Sequence, residues 1–232
     1  DIKKHNFDKV FIFNSSLRYS LVARLAKIKS INQYQLFNKK NQNIIETAKL
    51  FIKKNLNIEV ESNPIISINQ DDINIAKNNY KIINEDINIL LGVGGSGPTK
   101  RVPTEKILEF MKLCNNKFKC KFFIAAGSNE IEEKIVNQIL NSEFKSKCVA
   151  INKLQISETL PIIKNCNISI CNDTSFSHLS AALGLKTIVL MTDTPLLYGN
   201  YSPRMYPILP DGEKTVKHDT LGKNKINPIK IF

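Results

Sequence analysis

Short apolar runs alternate with amphipathic stretches almost without interruption along this chain, and the alternation restricts the fold class before any motif is considered. The runs 87–93, 121–126, 148–151, 168–171 and 187–191 recur at roughly 25-residue spacing. Stretches of helical period lie after the first four, at 105–114, 130–140, 157–164 and 175–183. A strand covered on both faces reads as a continuous apolar run, so this pattern predicts a doubly wound parallel sheet. A first region reads the same way: strand 10–13, helix 18–27, a short strand near 31–36 and helix 44–56. Leu21, Val22, Leu25 and Ile28, and likewise Ala48, Phe51, Ile52 and Leu56, supply the helical spacing. The residues 64–68 form another short extended run. The polar segment that follows keeps an amphipathic pattern in Ile73, Ile75, Ala76, Tyr80 and Ile83. The expected division is therefore a partial first domain at 1–70, a linker helix at 71–86 and a second domain at 87–232.

The 232 residues are 42% hydrophobic, enough for packed cores, and no apolar run approaches the ~20 residues that cross a bilayer. The first residues carry no signal-peptide core. A cytoplasmic protein, or one lying on a membrane surface, is the expectation. Cys114, Cys120, Cys148, Cys166 and Cys171 form no CxxC pair and no metal-ligand spacing with histidine, so buried free thiols in a reducing compartment are expected. The net charge of +12 arises from 33 Lys and Arg against 21 acids, scattered rather than striped. Such a surface favours anionic partners. No aromatic RNP pattern or GXXG clamp accompanies it, and nucleic acid is not an expected partner. The chain has no initiator Met and enters almost at once on a strand of the kind found inside an α/β domain, which reads as a fragment or processed form.

Four loops carry chemistry. Gly92-Val93-Gly94-Gly95-Ser96-Gly97-Pro98-Thr99-Lys100-Arg101 follows a strand and precedes a helix. Its glycines admit close backbone approach to a phosphate, and Ser96, Thr99, Lys100 and Arg101 add donors and charge. It is neither a Walker A loop nor a GxGxxG fingerprint, and a flexible turn with solvated basic residues fits equally. Asn172-Asp173-Thr174-Ser175-Phe176-Ser177-His178 puts an acid at a strand end, hydroxyls at a helix start and a histidine one turn on. Helix capping alone would account for Asp173 and Thr174, with His178 a satisfied polar residue. A Ser-His-Asp hydrolase fits poorly, because all three would crowd one turn and GxSxG is missing. Glu130, after Gly127-Ser128-Asn129, suits either ribose hydroxyls or the helix dipole. Leu154 precedes the plausible N-cap Ser157 and reads either as a contact for an adenine ring or as an ordinary loop residue.

In order and content these loops resemble those of glycosyltransferase family 9, the heptosyltransferases of the lipopolysaccharide inner core. The family's Lys-x-Trp-Pro loop, Gly-turn with Glu, Leu-x-Glu-Leu-like loop and Asp-Thr-Gly-x-x-His-x-Ala-Ala segment correspond to Lys100-Arg101-Val102-Pro103, Gly127 to Glu130, Leu154 to Leu160 and Asp173 to Ala182. The resemblance covers 87 to about 206 well and the first region loosely. It implies a GT-B fold of two Rossmann-like domains with parallel sheets, the first incomplete. It implies inverting transfer of heptose or a related sugar from an ADP-heptose-type donor to a phosphorylated lipopolysaccharide-core acceptor, with no metal and no cofactor. By matching position Lys100 stabilises the leaving diphosphate and Ser96, beside Gly95, donates to the same phosphates. Glu130 holds the ribose, Leu154 lies near the base and Asp173 binds sugar hydroxyls. Thr174 and Ser175 face the pyrophosphate with His178 in support. Two motif residues differ, Val102 for Trp and Ser175 for Gly. The family's catalytic base, an Asp near the start of its first domain, has no counterpart here, since Asp8 precedes a different strand. The expected location is the cytoplasm, either free or peripheral on the inner face of the inner membrane. A transferase for another envelope glycan, a non-catalytic nucleotide-binding module and a basic nucleic-acid-binding protein are the competing readings.

Overall fold

The computed structural model describes residues 2–34, 43–61 and 63–232. The chain divides into two compact units, 1–62 and 63–232, and the boundary falls ahead of the expected limit at 70. In the first unit, strands β1 (Lys9–Ile12) and β2 (Ser30–Gln33) pair in parallel, with helix α1 (Leu17–Leu25) in the connection. Helix α1 stops before the expected 27 because Lys27 takes the left-handed conformation, φ 62°. Residues 35 and 36 of the expected second strand lie outside the described residues. Helix α2 (Ile44–Leu56) starts where Asn43 accepts the N–H groups of Ile45 and Glu46, and ends on Asn57 at φ 57°. Its Phe51 packs edge-on to Tyr34 and Phe13, with ring centroids 4.9 and 5.0 Å away.

The second unit is built on one parallel six-stranded sheet: β3 (Ile87–Gly92), β4 (Cys120–Ala125), β5 (Cys148–Ala150), β6 (Ile168–Asn172), β7 (Lys186–Leu190) and β8 (Met205–Ile208), in spatial order β5-β4-β3-β6-β7-β8. Five strands were expected. The sixth, β8, is an edge strand holding Pro207, whose missing N–H is tolerated only at an edge or a bulge. The chain direction along the sheet reverses between β3 and β6, the topological switch point of a Rossmann-like layer.

Residue parity sorts the core. Ile89 and Leu91 of β3, with Phe122 and Ile124 of β4, pack under α4 (Thr104–Lys117) and α5 (Glu130–Leu140) through Ile107, Phe110, Met111, Val136 and Ile139. On the opposite face Leu90 and Phe123 pack with Ile162 and Ile163 of α6 (Ile156–Lys164) and Phe176 of α7 (Ser175–Ala182). Each fully buried aromatic or aliphatic side chain contributes roughly 1.5–3 kcal/mol. Helix α6 begins one residue before the expected cap Ser157: Gln155 precedes it, and its N–H is accepted by Glu158 at 2.7 Å.

The segment expected as a linker is part of this unit. Its helix α3 (Gln70–Asn79) is capped by Asn69, packs on α6, buries Ala76 in the second core face and has its Ile73 carbonyl held by Asn165 Nδ2 at 2.9 Å. The extended residues before it dock as well, the Ile66 N–H donating to the Ala182 carbonyl at 3.0 Å. A last short helix, α8 (Pro228–Ile231), buries Ile231 in the first core face beneath α4. Among the described residues no helix is long and apolar enough to cross a membrane.

Candidate functional site

Loops leaving β3, β4, β6 and β7 meet at the carboxyl end of the sheet and enclose an open crevice of ≈ 480 Å³ at the switch point. Strands β3 and β6 lie so close there that a Cβ at Gly92 would sit 2.6 Å from Cys171 Sγ. The β3 loop is clipped at both ends by Asn172, the last residue of β6, which is 1% exposed. Asn172 Nδ2 donates to the carbonyls of Val93 and Gly94 at 2.9 and 3.0 Å, and Oδ1 accepts the Val102 N–H at 3.4 Å. Val102, at the family's Trp position, is core: it is 2% exposed and belongs to the first packed face. The outer turn is tied from the other side, where Thr192 Oγ1 donates to the Thr99 carbonyl and Lys223 Nζ to the Pro98 carbonyl.

This bracing delivers Lys100 to the crevice, where its Nζ lies 2.8 Å from Asp173 Oδ2. Asp173 is itself buried, 7% exposed, at the foot of α7. Thr174 occupies the N-cap position in an extended conformation, φ −142° and ψ 171°, and its hydroxyl makes no capping hydrogen bond. The leading N–H groups of a helix have no intrahelical acceptor and carry its positive end. Thr174, Ser175 and Phe176 line the crevice at that point, so a cation and a helix N-terminus converge on one place.

His178 lies on the same wall, its ring stacked on Tyr201 at 5.4 Å and its Nδ1 2.7 Å from the Tyr201 hydroxyl. Burial pushes the imidazole pKa below its ordinary value; Asp173 opposes the shift and Lys100 adds to it. The shift favours the neutral ring.

On the β4 side the acid in the crevice is Glu132. It is 5% exposed, its Oε1 accepts the Gly95 N–H at 3.2 Å, and its Oε2 accepts the N–H of Gly127. Arg101 Nη1 lies 3.7 Å from that carboxylate and donates to the Gly95 carbonyl at 2.9 Å. The Gly95 N–H is therefore occupied by a carboxylate rather than open to a phosphate. Glu130 is turned to solvent, with its side chain 83% exposed and paired with Lys134 at 2.8 Å. Leu154 is half-buried against the second core face and does not line the crevice.

The crevice thus gathers Gly95, Ser96, Lys100, Asp173, Thr174, Ser175 and His178, and leaves out Glu130 and Leu154. Sequence reasoning missed Glu132, whose signal was its phase: it shares the buried face of α5 with Val136 and Ile139. It also missed Thr194, Tyr198 and His218, which enter from segments with no regular periodicity. Among the described residues no group of three or more His, Cys, Asp or Glu is placed to hold a metal ion. The cysteines are free, and burial pushes Cys114 and Cys171 up to about 12 and Cys148 up to about 11.

The family model of glycosyltransferase family 9 (heptosyltransferase) matches residues 1–223. The chain belongs to that family. This family 9 chain is 29% identical over 117 residues to lipooligosaccharide heptosyltransferase 2 of Haemophilus influenzae, an alignment that takes in 50% of this chain and 32% of that relative's length. Among solved structures, the ADP-heptose lipopolysaccharide heptosyltransferase II of E. coli superposes with a TM-score of 0.73 at 19% identity, covering 99% of this chain and 76% of that one. A family 9 glycosyltransferase from Veillonella parvula gives 0.72 at 18% identity, covering 97% and 71%. The E. coli heptosyltransferase WaaC, solved with ADP, gives 0.70 at 14% identity with coverages of 97% and 71%. At these identities the likeness is one of fold. The parallel α/β layers of this family 9 chain are those of the GT-B heptosyltransferases.

Proposed function

We propose that this chain carries the donor site of an inverting, metal-independent heptosyltransferase, moving heptose or a related sugar from an ADP-sugar-type donor to a phosphorylated lipopolysaccharide-core acceptor. The observation that carries the reading is the Lys100–Asp173 pair at the N-terminus of α7, inside the switch-point crevice. Breaking a sugar–phosphate bond leaves negative charge on the departing nucleoside diphosphate. Lys100 and the start of α7 line the same crevice, and on this reading they meet the charge as it develops, which is how such groups lower a barrier. Ser96 adds a hydroxyl donor at the mouth, and Asp173 is the acceptor for sugar hydroxyls. Glu132, rather than Glu130, is the acid within reach of a ribose. That a relative of the same fold is a heptosyltransferase solved with ADP supports the choice of nucleotide. On this reading the proton acceptor for the attacking hydroxyl is the family's first-domain Asp, for which the chain offers no counterpart, Asp8 preceding a different strand. The net charge of +12 suits a phosphorylated glycolipid and peripheral contact with an anionic cytoplasmic membrane face.

Isothermal titration with ADP and ADP-heptose, set against UDP and GDP, tests the reading. Adenine nucleotides should bind best, and Lys100→Ala should weaken them by roughly 10- to 100-fold, the range for a lost hydrogen bond to a charged group. A response only to polyanions, abolished by moderate salt and untouched by Lys100→Ala, would instead mean a nucleic-acid-type surface.

A further inference from the structure

The His178–Tyr201 contact joins the crevice wall to a segment that no part of the donor reading uses. His178 sits in the first half of α7, while Tyr201 comes from the connection between β7 and β8. The two rings are stacked, with centroids 5.4 Å apart and an interplanar angle of 18°, and the hydroxyl lies 2.7 Å from Nδ1. A neutral imidazole has one donor and one acceptor nitrogen, so whatever Tyr201 does at Nδ1 decides what Nε2 presents to the crevice. Two arrangements are open in principle. In one the phenol donates to Nδ1 and Nε2 carries the proton; in the other Nδ1–H donates to the phenol oxygen and Nε2 offers a lone pair.

Two observations select the first. An oxygen–nitrogen separation of 2.7 Å is at the short end for an N–H donor and typical of an O–H donor. The crevice that His178 lines also holds Lys100 and the opening turn of α7, all of which suit an anionic ligand oxygen and call for a donor beside them. No protein partner of Nε2 is seen among the described residues.

We propose that Tyr201 is a positioning residue that fixes His178 as the neutral, Nε2-protonated tautomer, so that its N–H forms a third, uncharged donor to the diphosphate of a nucleotide-sugar ligand. The ligand half of this proposal rests on the donor reading above, whereas the tautomer half does not. Lys100 supplies charge on one side and α7 supplies backbone N–H groups on another. His178 adds direction without another positive charge, and Tyr201 keeps that direction from inverting.

Long-range proton–nitrogen correlation spectra of the free protein read the tautomer directly. Only His5, His178 and His218 are present, and loss of one pattern in His178→Gln assigns the signal. The expected result is an Nε2–H pattern for His178 at pH 7.5, which becomes a mixture of tautomers in Tyr201→Phe. In the same variant the Kd for ADP should rise about threefold to tenfold, the range for one neutral hydrogen bond. His178→Gln should show a comparable loss. An Nδ1–H pattern in the unmodified protein, or an unchanged pattern in Tyr201→Phe, overturns the proposal. If the tautomer behaves as described but ADP fails to bind the unmodified protein, the donor reading falls and the positioning role stands. Tyr201→Phe keeps the stacked ring, so a folded Phe variant with the native tautomer lost attributes the effect to the hydroxyl rather than to stacking.

Discussion

Replacing Asn172 by Asp should damage this protein more than replacing it by Ala, although Asp is nearly the same size. The amide gives two hydrogen bonds, to the Val93 and Gly94 carbonyls, and receives one from Val102. Alanine removes all three and leaves the partners buried. At a net value near 1 kcal/mol per bond, the longest counting least, the loss is about 2–3 kcal/mol. Aspartate keeps the acceptor facing Val102 but turns a carboxylate oxygen toward two carbonyl oxygens, with Asp173 as the next residue. Two attractions become repulsions around a buried charge, and the loss should reach about 4 kcal/mol or more. Protonation offers relief, because a carboxylic acid can donate once. The introduced Asp would have a folded-state pKa above its unfolded value near 3.9, so the folded state binds more protons between the two. Its penalty is therefore full above the folded pKa and shrinks as pH falls through it. Urea unfolding followed by far-UV circular dichroism, suited to a chain with no Trp, gives both numbers at pH 8 and pH 5. The bracing role is refuted if Asn172→Asp is as stable as Asn172→Ala, or if its deficit is the same at both pH values.

Three further outcomes follow from the same geometry. Glu130→Ala should leave ADP affinity and stability within about 0.5 kcal/mol, as befits an exposed i,i+4 pair, while Glu132→Gln should lose about 2 kcal/mol of stability; equal effects in urea titrations would contradict the assignment. Gly94→Ala places a Cβ 2.2 Å from Glu132 Oε2 and should cost about 1–3 kcal/mol, measured in the same way, whereas Gly212→Ala meets nothing within 4 Å and tests only its φ of 85°. Thiol titration of the native protein at pH 8 should be slow at every cysteine, with Cys148, the least buried, reacting first, and fast only after unfolding.

Elements whose apolar residues face one core were legible at residue resolution. Helices α2 and α5 run over the residues their spacing implied, because a stripe such as Val136 and Ile139 has a single burial solution. Strand β8 was not legible: Met205-Tyr206-Pro207-Ile208 has an exposed Tyr and a Pro, and only its neighbour β7 makes it a strand. The segment around α3 looked like a linker because its surface is polar, yet a few contacts through Ile73, Ala76 and Ile82 suffice to seat it. Within the site, residue type was legible and side-chain direction was not. Lys100, Asp173 and His178 could be placed because each follows a strand end. Choosing among Glu130, Glu132 and Glu133 required the phase of α5, and Tyr201 required a connection whose course no periodicity encodes.

The ion pair between Lys100 and Asp173 has a consequence for discrimination. An empty anion site usually welcomes any phosphate, and cells are full of phosphate. Here the cation already has a counter-ion at 2.8 Å, so an incoming anion must exchange with it rather than simply dock. A bare phosphate that displaces the carboxylate strands Asp173, buried and 7% exposed, without a partner. A ligand that brings hydroxyl groups alongside its phosphates satisfies both halves of the broken pair. On the donor-site reading proposed above, the pair disfavours a bare phosphate and favours a molecule with two kinds of functional group, a form of selectivity by substitution.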